Sequence, residues 1–370
     1  MSFKTPEEKF AALLVNYCIG VKPLSEISIS STIAAMPLIT EIFKKVVDAG
    51  GYPRIVISNE ELNEYFYRYA PPELLEYLSP IDKFIMENIS GMIRIIAPTH
   101  SKPLINVDPE RIRKVALASK PLSDIMLKRD ASGTLRWTVT AYPTNSMAQE
   151  AGFSPLEWRE FVFRAVKLFS EDPVLEWTKQ AAQQEKVALF LKKAKEIRVL
   201  ADDTDLYLRF DGRIWVNDDG KNNMPGGEVF SSPIEDSAEG YITYSYPAIW
   251  RGVEVKGIRL NFKKGEVIEA SAEKGEEFLK KMIATDDGAK RLGEFAFGLN
   301  YNIDRFTREI LFDEKIGGTI HLALGSAYIQ TGGKNFSSIH WDMIKDMRKG
   351  KIYVDGDLVY ENGAFIKGII

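Results

Sequence analysis

Apolar residues recur at helical spacing from Pro6 to Ile19, behind Thr5 as an N-cap with proline at the first helical position, and Lys22-Pro23 closes the run. Glu26 to Ser30 then alternates as a strand, Thr32 to Ala49 keeps a helical period up to Gly50-Gly51, and Arg54 to Ser58 is a short apolar strand. Strand, helix and strand in that order predict a βαβ unit with a parallel pair and a crossover helix. The alternation continues with helices near 60–70 and 73–87, a strand Met92–Ala97, a helix from Pro109 to about Lys128 and a strand Leu135–Ala141. A doubly wound α/β domain follows from it.

Helices are also expected at Asn145–Ala151, Pro155–Phe169 and Pro173 to about Lys195, with the domain boundary at Glu171-Asp172-Pro173, so that residues 1–172 form a Rossmann-like domain and 173–370 a second one. Past that point the pattern changes to short alternating strands separated by Gly-rich and Asp-rich turns. They are Ile197–Ala201, Asp205–Phe210, Ile214–Asn217, Gly240–Ser245, Val253–Asn261 and Glu266–Ala270. This predicts an α+β domain rich in antiparallel strands. Helices are expected at Lys274–Ala284 and Asp286–Leu292, and Asp355-Gly356 fits the tight turn of a terminal hairpin.

Composition narrows the function classes. With 370 residues, 45% hydrophobic and 27% charged, the chain is long enough for two filled cores. A net charge of -4 and a pI near 5.7 argue against general nucleic-acid binding, which needs a basic face. No segment reaches the length of a membrane span, and the N-terminus lacks the apolar run of a signal peptide. The single cysteine, Cys18, lies in an apolar run and reads as a core residue; a cytoplasmic location is expected. Lys-rich and Glu-rich helices suggest a thermophilic source. No G-x-G-x-x-G or P-loop motif marks the first domain for a nucleotide.

Chemistry concentrates in residues 317–342. Two of the three histidines, His321 and His340, fall there, with Tyr328, a Gly332-Gly333 turn and Asp342. Imidazole and carboxylate are ligands shared by Zn, Mn, Fe and Co. On an extended segment His340 and Asp342 face one side and Trp341 the other, so His-x-Asp is either a two-ligand unit or a hydrogen-bonded pair. His100, in Pro-Thr-His-Ser-Lys-Pro, reads as a loop histidine. Glu228 follows Pro225-Gly226-Gly227, where glycines let backbones approach and the carboxylate can project from a turn, and Glu294 is an acid among apolar neighbours.

Four blocks occur in order: Met-Pro-Gly-Gly-Glu-Val-Phe, Leu-Gly-Glu-Phe-Ala, Gly-Gly-Thr-Ile-His-Leu-Ala-Leu-Gly and Ser-Ser-Ile-His-Trp-Asp-Met-Ile. In these the chain resembles the thermophilic-type metallo-aminopeptidases, the family of aminopeptidase T and aminopeptidase S, over nearly its full length. The resemblance implies that Glu228, Glu294, His321, His340 and Asp342 bind two divalent metal ions (Zn, Co or Mn) and that Tyr328 is catalytic. It further implies a C-terminal catalytic domain, peptide substrates with a free N-terminus, and a homodimer.

Three carboxylates and two neutral imidazoles would offset about three of the four charges on two such ions, leaving the pair electrophilic. Glu294, in its apolar setting, is the glutamate expected to bridge the ions or take a proton. Tyr328 would donate to the tetrahedral intermediate or help transfer a proton to the leaving amine; without the resemblance it reads as a core or strand tyrosine. Two other readings stand beside this one. The first is a mononuclear Fe(II) ring-cleaving dioxygenase on the same scaffold, and the second a non-catalytic metal-stabilised binding protein.

Overall fold

A computed structural model describes residues 5–250 and 252–368. Two compact units divide the chain: Met1–Glu176 with Gly220–Pro225, and Trp177–Asp219 with Gly226–Ile370.

The first unit is built on a five-stranded parallel sheet in the order Tyr52–Ser58, Glu26–Thr32, Gly91–Ile96, Arg136–Ala141, Asn223–Met224. The α/β expectation is met. Ile27, Ile29, Ile93 and Ile95 are buried in its central strands, and the crossover helix Met36–Asp48 turns Leu38, Ile39, Ile42 and Val46 inward at the spacing its sequence carries. Cys18 is buried, and His100 lies exposed in a loop where its Nδ1 accepts the Lys102 N–H at 3.0 Å.

Several elements differ from the sequence pattern for local reasons. The expected helix over 73–87 is two, Pro72–Leu75 and Pro80–Asn88, because the Ser79 hydroxyl caps a new start at Pro80. The second half of the first helix, Leu13–Ile19, is π-helical. The expected strand Val253–Asn261 breaks at Gly257, whose φ is +62°, into Val253–Val255 and Arg259–Lys263. The expected helix Asp286–Leu292 is a turn: the Asp286 carboxylate accepts from the Ala289 N–H at 2.9 Å and from Ser337 and Ser338, and Leu292 already opens a strand.

The second unit carries the antiparallel texture its sequence predicts. An eight-stranded antiparallel sheet runs in the order 266–271, 259–263, 239–243, 204–209, 196–201, 351–354, 357–361, 364–365. The turn between the strands Lys351–Val354 and Asp357–Glu361 holds Asp355-Gly356, as expected. A second antiparallel sheet comprises β1 (Val216–Asp218), β2 (Glu228–Ser231), β3 (Leu292–Gly298), β4 (Thr319–Gly325) and β5 (His340–Asp346), in the order β5-β4-β3-β2-β1. Its apolar side chains Val229, Phe295, Phe297, Ile320, Leu322, Leu324, Trp341 and Met343 join Ile197, Val199, Leu206 and Leu208 of the eight-stranded sheet in one core. Every residue of β3 and β4 is buried, so polar groups on these strands must be paired or bind an ion.

Candidate metal centre

Register decides which side chains meet. Gly298 lies opposite Glu228, Ala296 opposite His321, Ala323 opposite both Glu294 and Asp342, and Gly325 opposite His340. Opposed residues in an antiparallel ladder share a face, as do residues two apart along a strand. Glu228, Glu294, His321, His340 and Asp342 therefore all rise from the face turned away from the core. Between them stand Ala296, Gly298, Ala323 and Gly325; at Gly298 and Gly325 the backbone carbonyls of Ile316 and Ile339 approach so closely that a Cβ would lie 2.3 and 2.1 Å from them.

Two backbone features place the glutamates. Pairing slips between Leu292 and Glu294, so Leu292 enters the core opposite Leu324 while Glu294 keeps the polar face. A Cβ at Gly293, inside this bulge, would lie 2.3 Å from the Ser326 carbonyl oxygen. Glu228 does not project from a turn as its sequence suggests: it is the first residue of β2 and 5% exposed. The preceding Gly227 has φ +122°, and a Cβ there would meet the Asn300 Cβ at 2.6 Å. Gln184 secures this corner by donating from Nε2 to the carbonyls of Asp218 (2.8 Å) and Glu228 (3.1 Å).

The ligand atoms form two overlapping triads, Glu228/Glu294/His321 and Glu294/His340/Asp342, with the atoms of each within 4.8 Å of one another. Glu294 belongs to both. Its Oε2 lies 3.0 Å from His340 Nε2 and its Oε1 3.7 Å from His321 Nε2, while Glu228 Oε2 is 3.4 Å from His321 Nε2 and Asp342 Oδ1 is 3.5 Å from His340 Nε2. The far nitrogens are tied to backbone: His321 Nδ1 to the Glu314 carbonyl at 2.9 Å and His340 Nδ1 to the Ser326 carbonyl at 2.7 Å. A carbonyl only accepts, so each Nδ1 carries its proton and each Nε2 faces carboxylate oxygens. A neutral imidazole would there set a lone pair against anions; a cation belongs between them, either a proton or a metal ion. Glu228 Oε2 and Asp342 Oδ1 are buried with no hydrogen-bond partner among the described residues, as atoms reserved for an ion would be. The residues present fit divalent metal.

The field is what buried acids around imidazoles produce. Burial opposes charge on His321, yet the hydrogen bond to Glu294 and the Glu228 charge push it up to about 10. His340 is likewise raised well above its ordinary value, against burial, by Asp342 and Glu294. Burial disfavours ionised Glu294 and Asp342 too, but the imidazoles prevail and hold Glu294 below its usual value and Asp342 at about 2. Glu228 goes the other way: burial, reinforced by Glu314, lifts it despite Lys315. Tyr328 follows β4 with 41% of its surface open, its ring 4.9 Å from that of His340 and 5.2 Å from that of Phe230. Crowding around the phenol and the charges of Glu294 and Asp342 raise it well above its ordinary value, so it is a proton donor at neutral pH.

Three further charged groups adjoin the site, and the sequence reading missed them. Glu314 groups with His321 and Asp342, Asp218 lies opposite Glu228, and Lys315 pairs with Asp218, Glu228 and Glu314. A signal for two of them was present: Asp313-Glu314-Lys315 is a charged triplet between apolar Ile310-Leu311-Phe312 and Ile316.

The profile of the family described as thermophilic metalloprotease (M29) matches residues 3–365. The chain belongs to that family. It is thus a peptide-bond hydrolase of the metalloprotease type, and nothing in this membership favours the dioxygenase alternative. Relatives of the M29 chain include aminopeptidase PepS of Streptococcus thermophilus, 27% identical with 99% of each chain covered. Aminopeptidase 2 of Geobacillus stearothermophilus is 28% identical over 96% of this chain and 98% of that protein. Aminopeptidase T of Thermus thermophilus is 27% identical over 98% and 97%. Among solved structures, wild-type AmpT from Thermus thermophilus superimposes with a TM-score of 0.84 at 23% identity, covering 98% of this chain and 99% of that one, which establishes the shared fold. Among the described residues no helix is long and apolar enough to cross a membrane.

Proposed function

We propose that this M29 chain is a dinuclear metal-dependent aminopeptidase, with Glu228, Glu294 and His321 holding one divalent ion and Glu294, His340 and Asp342 the other. The observation that supports this reading best is Glu294, whose two oxygens face the two imidazoles from one buried carboxylate. A bridging carboxylate is the natural occupant of such a position. Zn, Co or Mn suits the mixed nitrogen and oxygen donors, and when bound the pair supplies an activated water and polarises the scissile carbonyl.

The protein's own residues do the rest. Glu294 fixes the spacing of the two ligand sets, and the backbone carbonyls behind His321 and His340 keep each Nε2 aimed inward. Tyr328, protonated at neutral pH, donates to the oxyanion formed from the carbonyl. Hydrolysis adds the water's hydroxyl to the carbonyl carbon, breaks the C–N bond and delivers a proton to the leaving amine. With two divalent ions and Lys315 present, the carboxylates of Glu228, Glu294, Asp342, Glu314 and Asp218 are balanced. A free substrate amino group would coordinate an ion or meet a carboxylate such as Glu314, which favours cleavage at the N-terminus. Short peptides cleaved at their first bond are the substrates of this reading. It assigns catalysis to the second domain and includes a homodimer, as the sequence resemblance implies; a cytoplasmic location is the expectation from cysteine usage.

The test is metal content and hydrolysis on one sample. Chelator-stripped protein should regain release of the first residue from a short peptide as Zn, Co or Mn approaches two equivalents per chain, and an N-acetylated peptide should resist cleavage. One equivalent at saturation, or equal cleavage of the acetylated peptide, contradicts the proposal.

A further inference from the structure

Lys315 is the feature of the second unit that the ligand set does not explain. Its side chain has no exposed surface, although lysine is among the residues least often buried. Its backbone is fixed on both sides, the N–H donating to the Phe312 carbonyl at 3.1 Å and the carbonyl accepting from the Asn300 N–H at 3.1 Å. Three carboxylates meet its ammonium: Glu314 by a short ion pair, Glu228 Oε1 at 3.5 Å and Asp218 Oδ2 at 3.7 Å. Glu228 is therefore divided. One oxygen faces the ammonium, while the other, Oε2, has no hydrogen-bond partner among the described residues and points at His321 Nε2, 3.4 Å away.

We propose that Lys315 is a positioning residue for the metal centre: it holds Oε1 of Glu228 so that only Oε2 is presented as a ligand, while its ammonium also pairs with Asp218 and Glu314. The inference rests on the dinuclear reading above. A carboxylate free to rotate between monodentate and bidentate binding loses orientation on binding an ion, and a partner that fixes it removes that loss. Partners of this kind are typically worth about 10-fold to 100-fold in metal affinity. The point-like ammonium of lysine, with three rotatable donors, can serve three acids at once; a planar guanidinium would favour one of them. The effect falls mainly on Glu228: Lys315 pairs with Asp218, Glu228 and Glu314, whereas it reaches Asp342 on β5 only through its charge, without an ion pair.

Calorimetric titration of the stripped, full-length protein with Zn tests this. The two binding steps are assigned by which one disappears in His321→Ala and which in His340→Ala. In Lys315→Met the step that depends on His321 should weaken about 10-fold to 100-fold, while the step that depends on His340 stays within about threefold. Should Lys315→Met fail to show a cooperative melt, Lys315→Gln, which keeps a donor for one carboxylate, carries the same comparison. Unchanged affinities at both steps, or an equal loss at both, would overturn the assignment and leave Lys315 a charge-balancing residue of the fold. Fewer than two steps in the unaltered protein would instead contradict the dinuclear reading itself.

Discussion

Metal binding near neutral pH should release protons, and the number follows from the geometry. In the metal-free chain each imidazole has both nitrogens committed: Nδ1 donates to a carbonyl, and Nε2 faces carboxylates, at 3.0 Å in the case of His340 and Glu294. That arrangement holds an imidazolium. His321 titrates at about 10, roughly three units above pH 7, and each unit is worth about 1.36 kcal/mol, so removing its proton costs about 4 kcal/mol, or on the order of 10³ in apparent affinity. Glu294 and Asp342 are held ionised and release nothing, whereas Glu228, raised by burial, can add a proton of its own. We expect about two to three protons per chain at pH 7, read from calorimetry in buffers of different ionisation enthalpy. The apparent affinity should rise about a decade per pH unit for each proton released, until pH passes about 10. His340→Ala should lower the count by about one, and His321→Ala, which also removes the binding step that Glu228 serves, by about one to two. A count near zero for the unaltered protein would refute the reasoning, because the imidazoles would then be neutral without metal or not be ligands.

The same shift makes a stability prediction. A histidine raised in the folded state contributes stability that is present below its unfolded value near 6.5 and lost as pH rises through about 10, so the Tm of stripped protein should fall over that range while metal-loaded protein changes little. Tyr328→Phe should lower kcat by roughly 10-fold or more with Tm and KM nearly unchanged; an undiminished kcat would remove its hydroxyl from the chemistry. Ala323→Val puts two methyl groups on the ligand face between Glu294 and Asp342, and titration should show at least one metal step weakened about 10-fold or more, with about 1–3 kcal/mol lost from overpacking. Phe297→Ala, on the opposite face and fully buried against Trp215, Phe295, Tyr360 and Phe365, should cost about 3–5 kcal/mol in denaturant melts while folded protein still binds metal normally. A loss under about 1 kcal/mol there would contradict the packing described.

The sequence by itself determined the elements whose signals are local. Alternation and helical period located the parallel sheet and the antiparallel texture beyond it, because a strand or helix buries whichever face its own residues make apolar. The family resemblance carried by four ordered blocks named Glu228, Glu294, His321, His340, Asp342 and Tyr328 as candidates, and the alternation of β5 already set His340 and Asp342 on the side opposite Trp341. Elements failed where one residue's conformation or one side-chain cap outweighed periodicity, as at Gly257, Ser79 and Asp286. Only the tertiary structure decided that the five residues share one face, since inter-strand register and the bulge at Gly293 are properties of paired strands. It alone gave Glu294 to both triads. It alone brought Asp218, Glu314 and Lys315 to Glu228: an acid or a lysine reads as solvated surface until the fold removes water from around it, and only then must each charge find a partner.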